Sequence, residues 1–406
     1  MNVHKTPLRS RPIVSCSGSL LHALGVWIDT KFQLVAAKQH TYFKSSFDLK
    51  QELLQLHLPP GARFFVADAV SMYTNIQTAP ALREIARYLH QHAHQFADIP
   101  IAALIDALRL VMNNNIVQFG DTHWKQITGC AMGTPPAPPY ATVFYAIWEE
   151  TLLREYGRNL FLLRRYIDDM LGIWIPTPDD AAQWTGFCNR LNDYHDLTWE
   201  VSDRSTTVDF LDLTLTMQAS RITTSLYSKP LNLYLYIPPR SAHPPGVLQG
   251  LISGTIHRIH TLCSDPLDIR QRLQDFWNRL LARGYEKHDL LKPFSAGVAM
   301  AKAHLASLDD PPPPNDPCFF FHLQYHPQDP PSSAIQKAWH QTVSHPRLVA
   351  PLADLKFLGP HNHRRYRFDV DRLIVCYHRP PNLGNLLSYR RIKPATGPPV
   401  SSFLND

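Results

Sequence analysis

The chain has only six cysteines in 406 residues, at positions 16, 130, 188, 263, 318 and 376, and no two of them form a C-x-x-C pair. That scatter indicates neither a disulfide framework nor a zinc knuckle, and it is the cysteine usage of a reduced, intracellular protein. No stretch of about 18 consecutive apolar residues occurs, and the opening "MNVHKTPLRSRPIVS" lacks the apolar centre of a signal peptide. A soluble, non-secreted chain without a membrane partner is therefore expected. No internal repeat is visible, nor any strong basic import cluster.

With 44% hydrophobic residues the chain can bury a large core, and its length suits two or three subdomains. The formal charge of +6 is uneven, because residues 361–406 hold eight Lys or Arg against three Asp. Such a basic end suits a polyanion, nucleic acid before membrane. Strand-like and helix-like stretches alternate through the first half. "ARFFVADAV" reads as a buried strand; "ALREIARYLHQHAHQF" and "IAALIDALRLVMNN" read as helices, "NIVQFGDTHWKQI" as a hairpin and "YATVFYAIWEETLLREYG" as a long helix. "LTWEVS", "VDFLDLTLTM" and "ITTSLYSKP" are three further strand candidates. Hairpins within the alternation favour an α+β fold, an antiparallel sheet with helices on one face, over a doubly wound parallel one. Beyond residue 245 the pattern turns helical. "SDPLDIRQRLQDFWNRLLARG" carries Pro266 in its first turn and Gly284 past its end. Its apolar stripe is Leu273, Phe276, Trp277, Leu280 and Leu281, with Arg272, Arg279 and Arg283 elsewhere on the surface. "DDPPPPNDP" at 309–317 supports neither helix nor central strand and is read as linker.

The run "RRYIDDMLGIWI" at 164–175 holds an anomaly: Asp168 and Asp169 interrupt residue types that otherwise belong in a buried strand. Two like charges about 4 Å apart repel by roughly 4 kcal/mol at an effective dielectric of 20. Exposure at a turn or a bound divalent cation relieves that repulsion. A strand, a tight turn carrying both acids and a return strand would project them at the apex of a hairpin. Asp68 ends another apolar strand in "FFVADAVSMYTNI". Three such carboxylates complete a site for two Mg²⁺ ions, with Mn²⁺ as the alternative. A site of that kind activates a 3′-hydroxyl, steadies a leaving pyrophosphate and enforces in-line displacement, which is nucleotidyl transfer.

Several stretches, in order along nearly the whole chain, resemble a reverse transcriptase of the Penelope-like retroelement family. "ADAVSMYTNI" resembles its first catalytic motif, "GCAMGTPPAPP" its "AMGSPLSP" motif and "RRYIDDMLG" the [Y/F]-x-D-D motif of reverse transcriptases generally. "VDFLDLTL" and "YSKPLNLYLY" are similar to the family's "FLD" and "YRKPTNT" signatures, "HKTPLRSRPIVS" to its fingers segment and "RPPNLGNLLSYRRI" to the segment closing the polymerase region. The resemblance implies a right-hand polymerase: partial fingers at 1–62, a palm with inserted fingers elements at 63–230, a helical thumb at 231–308, a Pro-rich linker at 309–330 and a basic region at 331–406. It implies an RNA template, a DNA primer, deoxynucleoside triphosphates, two Mg²⁺ ions and nuclear residence.

Residue by residue, the resemblance makes Asp68, Asp168 and Asp169 the metal ligands. Tyr73 falls where the family places a ring beneath the sugar, so that a 2′-hydroxyl collides with it. Met132, Gly133 and Pro135 lie against the templating base and incoming nucleotide, and Lys5 and Arg11 against the triphosphate. Lys229 is a candidate proton donor to pyrophosphate or a backbone contact. Arg272, Arg279 and Arg283 would follow the template-primer backbone. A telomerase-like catalytic subunit shares the same acids, and a non-catalytic nucleic-acid-binding descendant of such an element is the reading from another class. Where the family writes "PLSP", this chain has "PPAP" at 135–138, and the extra proline restricts the start of the following helix. The resemblance also places the start of the chain inside the fingers and its end ahead of a nuclease module.

Overall fold

The structure is a computed structural model that describes residues 16, 18–119, 121–239, 241, 243–244, 246–308, 318–345, 347, 356–358, 365–367 and 373–379. In chain order its elements are α1 (His22–Ala36), α2 (Ser46–Gln55), β1 (Arg63–Ala69), α3 (Met72–Asn75), α4 (Thr78–Gln91) and α5 (Ile101–Asn113). The hairpin β2 (Ile116–Phe119) and β3 (Thr122–Lys125) leads to α6 (Ala137–Glu155), β4 (Leu160–Tyr166), β5 (Asp169–Trp174), α7 (Asp180–Leu191) and β6 (Trp199–Val201). Then come β7 (Thr207–Phe210), β8 (Leu213–Gln218), β9 (Arg221–Leu226), α8 (Val247–Leu262), α9 (Pro266–Ala282) and α10 (Lys287–Ala306). The last described elements are β10 (Phe319–Gln324), α11 (Ser332–Val343), β11 (Lys356–Leu358), β12 (Arg365–Arg367) and β13 (Leu373–His378). The described residues fall into two compact units divided at Pro230 and Leu231, with Leu262–Asp265 belonging to the first.

The first unit is built on a four-stranded sheet of order β4-β5-β1-β6, antiparallel at every pairing. Its chain order, β1, helices, the β4–β5 hairpin, α7, β6, is the split β-α-β arrangement in which the first and third strands lie side by side at the centre. The α+β class expected from the sequence is the one observed.

Residue alternation explains how this sheet is covered. Phe65, Ala67 and Ala69 of β1 share a face with Leu163, Met170 and Trp174, and all are buried against Ile28, Phe32, Ile85, Tyr140, Phe144 and Phe187 of the helices. Burying these aromatic and aliphatic side chains contributes about 1.5–3 kcal/mol each, before the entropy cost of ordering them. The opposite face is covered as well, chiefly by strands. Phe64, Leu162, Leu171 and Ile173 pack there on Val208, Phe210, Leu213 and Leu215 of a second sheet, order β7-β8-β9, and on Leu49 and Leu53 of α2. With apolar layers on both sides, β1 reads as an almost continuous hydrophobic run until it reaches Asp68.

The stretch "VDFLDLTLTM" also departs from its reading as one strand. Phe210 pairs with Leu213 across a two-residue turn, and Leu211 takes φ 53°, so the segment is a hairpin of β7 and β8. The prolines of "PPAP" sit where they are harmless. Pro136 is the N-cap of α6 and Pro138 lies in its first turn, where the helix has no N–H bond to lose.

In the second unit α8, α9 and α10 share a core of Ile252, Ile256, Phe276, Leu280, Leu290 and Ala301. Strands β10 and β13 pair in parallel, with Phe319 stacked on Trp339 of the intervening α11 at 4.9 Å between ring centres. β10 falls inside the 309–330 stretch read as linker; its "FFFHLQ" is an aromatic, strand-prone run. Among the described residues no helix is long and apolar enough to cross a membrane.

Candidate active site

The two aspartates of "YIDD" sit at the tip of the β4–β5 hairpin. Tyr166 pairs with Asp169, leaving Ile167 and Asp168 as the two turn residues. Ile167 has φ 55°, while Asp168 is not in the positive-φ region. Positive φ at the first central residue alone is the type II′ pattern, which matches the twist of an antiparallel hairpin and normally takes glycine there. A β-branched isoleucine in that conformation carries strain of about 1–3 kcal/mol, which persists only where the surroundings over-determine it.

The register then delivers the third acid. Asp68, at the end of β1, lies directly opposite Asp169 across the β1–β5 pairing and opposite Glu200 across β1–β6. Facing residues on antiparallel strands have Cα atoms about 4.5–5.5 Å apart. Tyr166, Asp169, Asp68 and Glu200 therefore form one row at the open end of the face that the second sheet covers elsewhere. The Ala69 N–H donates to the Asp168 carbonyl at 3.0 Å, tying the end of β1 to the turn. A cavity of about 290 Å³ opens at this row, lined by Asp68, Asp169, Glu200, Ser202 and Asp209 along with apolar neighbours. Asp68 is exposed, and Asp168 and Asp169 are half-buried.

The electrostatics follow from this crowding. Burial, then the charges of Asp168 and Asp68, push the Asp169 carboxyl up to about 6, while Lys229 pulls it down. Lys229 is thus close enough to the acids to act on them. Tyr73 is held above the ordinary tyrosine range by burial first, then by Cys130, Asp168 and Tyr166, which places its half-buried ring beside the turn. Its position is set locally by Ser71, with φ 51°, and by a short helix whose Tyr73 carbonyl accepts the Cys130 N–H at 2.6 Å. Gly129, φ 81°, lies so close that a Cβ there would sit 2.9 Å from that same carbonyl. The "GCAMG" loop is stapled to the Tyr73 turn in this way.

Of the residues singled out from the sequence, the first unit brings together Asp68, Asp168, Asp169, Tyr73 and Lys229, with the loop carrying Met132, Gly133 and Pro135 hydrogen-bonded beside Tyr73. Gly133 is exposed with φ 101°, and Met132 and Pro135 are half-buried. Lys5 and Arg11 lie outside the described residues. In the second unit Arg272 and Arg279 of α9 and Arg283 just past its end each have an intramolecular partner. Arg272 donates to Asp268 at 2.9 Å, Arg283 to the Tyr236 carbonyl at 2.6 Å, and the Arg279 guanidinium lies 3.6 Å from the centre of the Tyr234 ring. Glu200 and Asp209 were not legible as site residues: the β1–β6 pairing sets Glu200 opposite Asp68, and Asp209 of the second sheet lines the same cavity.

The donor set at the turn is entirely carboxylate oxygen, the hard ligands that Mg²⁺ and Mn²⁺ take. Burial first, and then the charges of Asp168 and Asp68, push Asp169 up; a divalent cation would offset the charge part of that push. Among the described residues no three Asp, Glu, His or Cys side chains are already gathered into a metal-binding group. What the backbone supplies is the pairing of Asp68 with Asp169 and the turn that carries Asp168.

Comparison with known proteins adds a local family match and weak structural likenesses. A family profile described as an animal helix-turn-helix domain matches residues 235–294, which hold α8, α9 and the start of α10. No curated protein matches the chain. A solved telomerase from Candida albicans, in complex with a fragment of telomeric RNA, is similar with a TM-score of 0.49 at 12% identity, covering 71% of this chain and 52% of that one. An apo telomerase from Candida tropicalis gives 0.40 at 11% identity over 72% and 57%, and a Sicinivirus RNA-dependent RNA polymerase 0.39 at 12% over 65% and 56%. The chain spans about half the length of these telomerases. At such scores the likenesses carry no weight for function.

Proposed function

We propose that the chain is an RNA-directed DNA polymerase, a reverse transcriptase of the Penelope-like kind, that extends a DNA primer by nucleotidyl transfer. The observation that carries this reading is the register of Asp68 opposite Asp169, with Asp168 in the connecting turn, at the open end of an antiparallel sheet. The ordered motif series in the sequence supports it from a separate direction. Asp68, Asp168 and Asp169 would hold two Mg²⁺ ions, which when bound lower the pKa of the attacking hydroxyl and neutralise charge on the leaving pyrophosphate. The strand pairing fixes two of these carboxylates on rigid elements, so their spacing does not depend on a loop. Lys229, near enough to Asp169 to pull its carboxyl down, would supply positive charge at the acids and a proton for the leaving group.

Tyr73 would choose the sugar. Its half-buried ring lies beside the turn and its backbone carbonyl is tied to the Gly129–Cys130 loop, so it would be held in place against a 2′-hydroxyl. Tyr73→Ala is expected to raise ribonucleotide incorporation relative to deoxynucleotide by roughly 10- to 100-fold, the range one small steric contact commands. Single-nucleotide insertion with rATP and dATP on a defined template measures the ratio; an unchanged ratio removes Tyr73 from this role.

The proposal itself is tested by primer extension on poly(rA)/oligo(dT) with the intact chain and with Asp168→Asn. Magnesium-dependent extension that the substitution abolishes is the expected result. Binding of the template-primer without extension would instead favour a non-catalytic nucleic-acid-binding protein.

A further inference from the structure

Directly behind the "YIDD" turn lies a charge pair that polymerase chemistry does not use. Arg165 of β4 and Glu149 of α6 are each 1% exposed, among the most buried charged groups described. The Arg165 Nε donates to Glu149, and one terminal nitrogen donates both to Glu149 at 3.2 Å and to the Thr142 carbonyl at 2.8 Å. The other terminal nitrogen reaches forward and donates to the Ile167 carbonyl at 2.9 Å. Thr41 completes the group: its hydroxyl donates to Glu149 and its carbonyl accepts the Arg165 N–H at 2.9 Å. The guanidinium also lies over the Tyr145 ring, 5.2 Å from its centre.

Such a pair is poor value as a stabilising device, because desolvating two ions offsets most of their attraction and apolar replacements are often no worse. Its geometry indicates a different use. The carbonyl it grips belongs to Ile167, the one turn residue in a conformation isoleucine resists, with φ 55°. We infer that Arg165, braced by Glu149 and Thr41, is a positioning residue that locks the strained Ile167 conformation and so holds Asp168 and Asp169 at the hairpin tip. Arg165 touches no reacting atom in this role; it acts through the backbone of Ile167. The planar guanidinium suits the task because it can bind Glu149, Thr142 and Ile167 at once in fixed directions, which the single nitrogen of lysine cannot.

The inference rests on the reading of this turn as the catalytic one, and its test separates the two. If the strut exists to maintain an unfavourable φ, glycine at 167 makes it dispensable, since glycine adopts positive φ freely. Arg165→Lys is made alone and together with Ile167→Gly, and extension kinetics are measured alongside hydrogen exchange of the Ala69 amide, which donates to the Asp168 carbonyl. Arg165→Lys alone is expected to lower kcat by roughly 10- to 100-fold with KM for dTTP nearly unchanged. Exchange of the Ala69 amide should quicken by roughly 10-fold as the turn loosens. In the Ile167→Gly background both effects should largely vanish. Equal losses in the two backgrounds, or a fall in melting temperature with kcat and Ala69 exchange unmoved, would mark the pair as merely structural. If Arg165→Lys does not fold, Thr41→Val, which removes one brace and leaves the ion pair, is judged by the same criteria in the same two backgrounds. Amide exchange needs no activity, so an inactive wild type in which Arg165→Lys quickens Ala69 exchange and Ile167→Gly restores it upholds the strut and sinks only the polymerase reading.

Discussion

Asp169→Asn is expected to abolish extension, by about 10³-fold or more as befits loss of a metal-holding carboxylate, and at the same time to make the protein more stable. The second effect follows from linkage. The folded chain holds Asp169 at about 6 against an ordinary 3.8, so the folded state binds its proton more tightly than the unfolded one. Below 3.8 both states are protonated and the group costs nothing; stability is lost as pH rises from there through about 6, and the full cost stands above it. Asparagine removes that cost. After discounting for partial exposure, the gain at pH 8 should be about 1–2 kcal/mol, or roughly 2–6 °C in melting temperature. At pH 4 the two proteins should melt almost together. Thermal unfolding at both pH values, without added divalent cation, measures this. A variant less stable than the wild type at pH 8 would mean that Asp169 does not sit partly buried beside Asp168 and Asp68 as described.

Gly172→Ala is expected to cost about 2–3 kcal/mol or to prevent folding, the upper range for overpacking a core. Gly172 pairs with Phe65 across β1 and β5, and a Cβ built on it would lie 2.1 Å from two atoms of the Phe65 ring. The ring has nowhere to go: Phe65 is fully buried, with Trp184 and Phe187 at 5.2 and 5.4 Å between ring centres. Glycine is thus required three residues along the strand from Asp169, because the ring that anchors β1 to the helices lies across it. Phe65→Leu should restore much of the loss when combined with Gly172→Ala, although it leaves a small cavity by itself. Urea unfolding of the two single variants and the double one decides the matter. A Gly172→Ala protein within about 0.5 kcal/mol of the wild type would contradict this packing.

The sequence carries the parts of this architecture that are local. The apolar run of β1, "YIDD" between two apolar strands, and the stripe of α9 can each be read from a few neighbouring residues, and the structure realises each one. The features that stay hidden depend on pairing between distant segments. Nothing near Phe64 or Leu171 says that their face meets a second sheet instead of solvent, because an apolar residue looks the same against a strand as against a helix. "VDFLDLTLTM" conceals its turn because leucine at 211 gives no signal for positive φ, where glycine or asparagine would have. Glu149 and Arg165 are 16 residues apart on different elements, and each alone reads as an ordinary surface charge. Asp68 is an intermediate case: its chemistry was legible, but only the antiparallel register shows that it faces Asp169 instead of lying one strand away.

The most direct measurement is template-directed addition of dTTP to oligo(dT) on poly(rA), with and without Mg²⁺, by the wild type and by Asp68→Asn. The substitution is remote in sequence from the "YIDD" turn and joined to it only by strand pairing. Extension that requires the divalent ion and falls by about 10³-fold or more in Asp68→Asn is the predicted result. A wild type that binds the template-primer and adds nothing at any concentration of Mg²⁺ or Mn²⁺, or an Asp68→Asn protein that extends as well as the wild type, would contradict it.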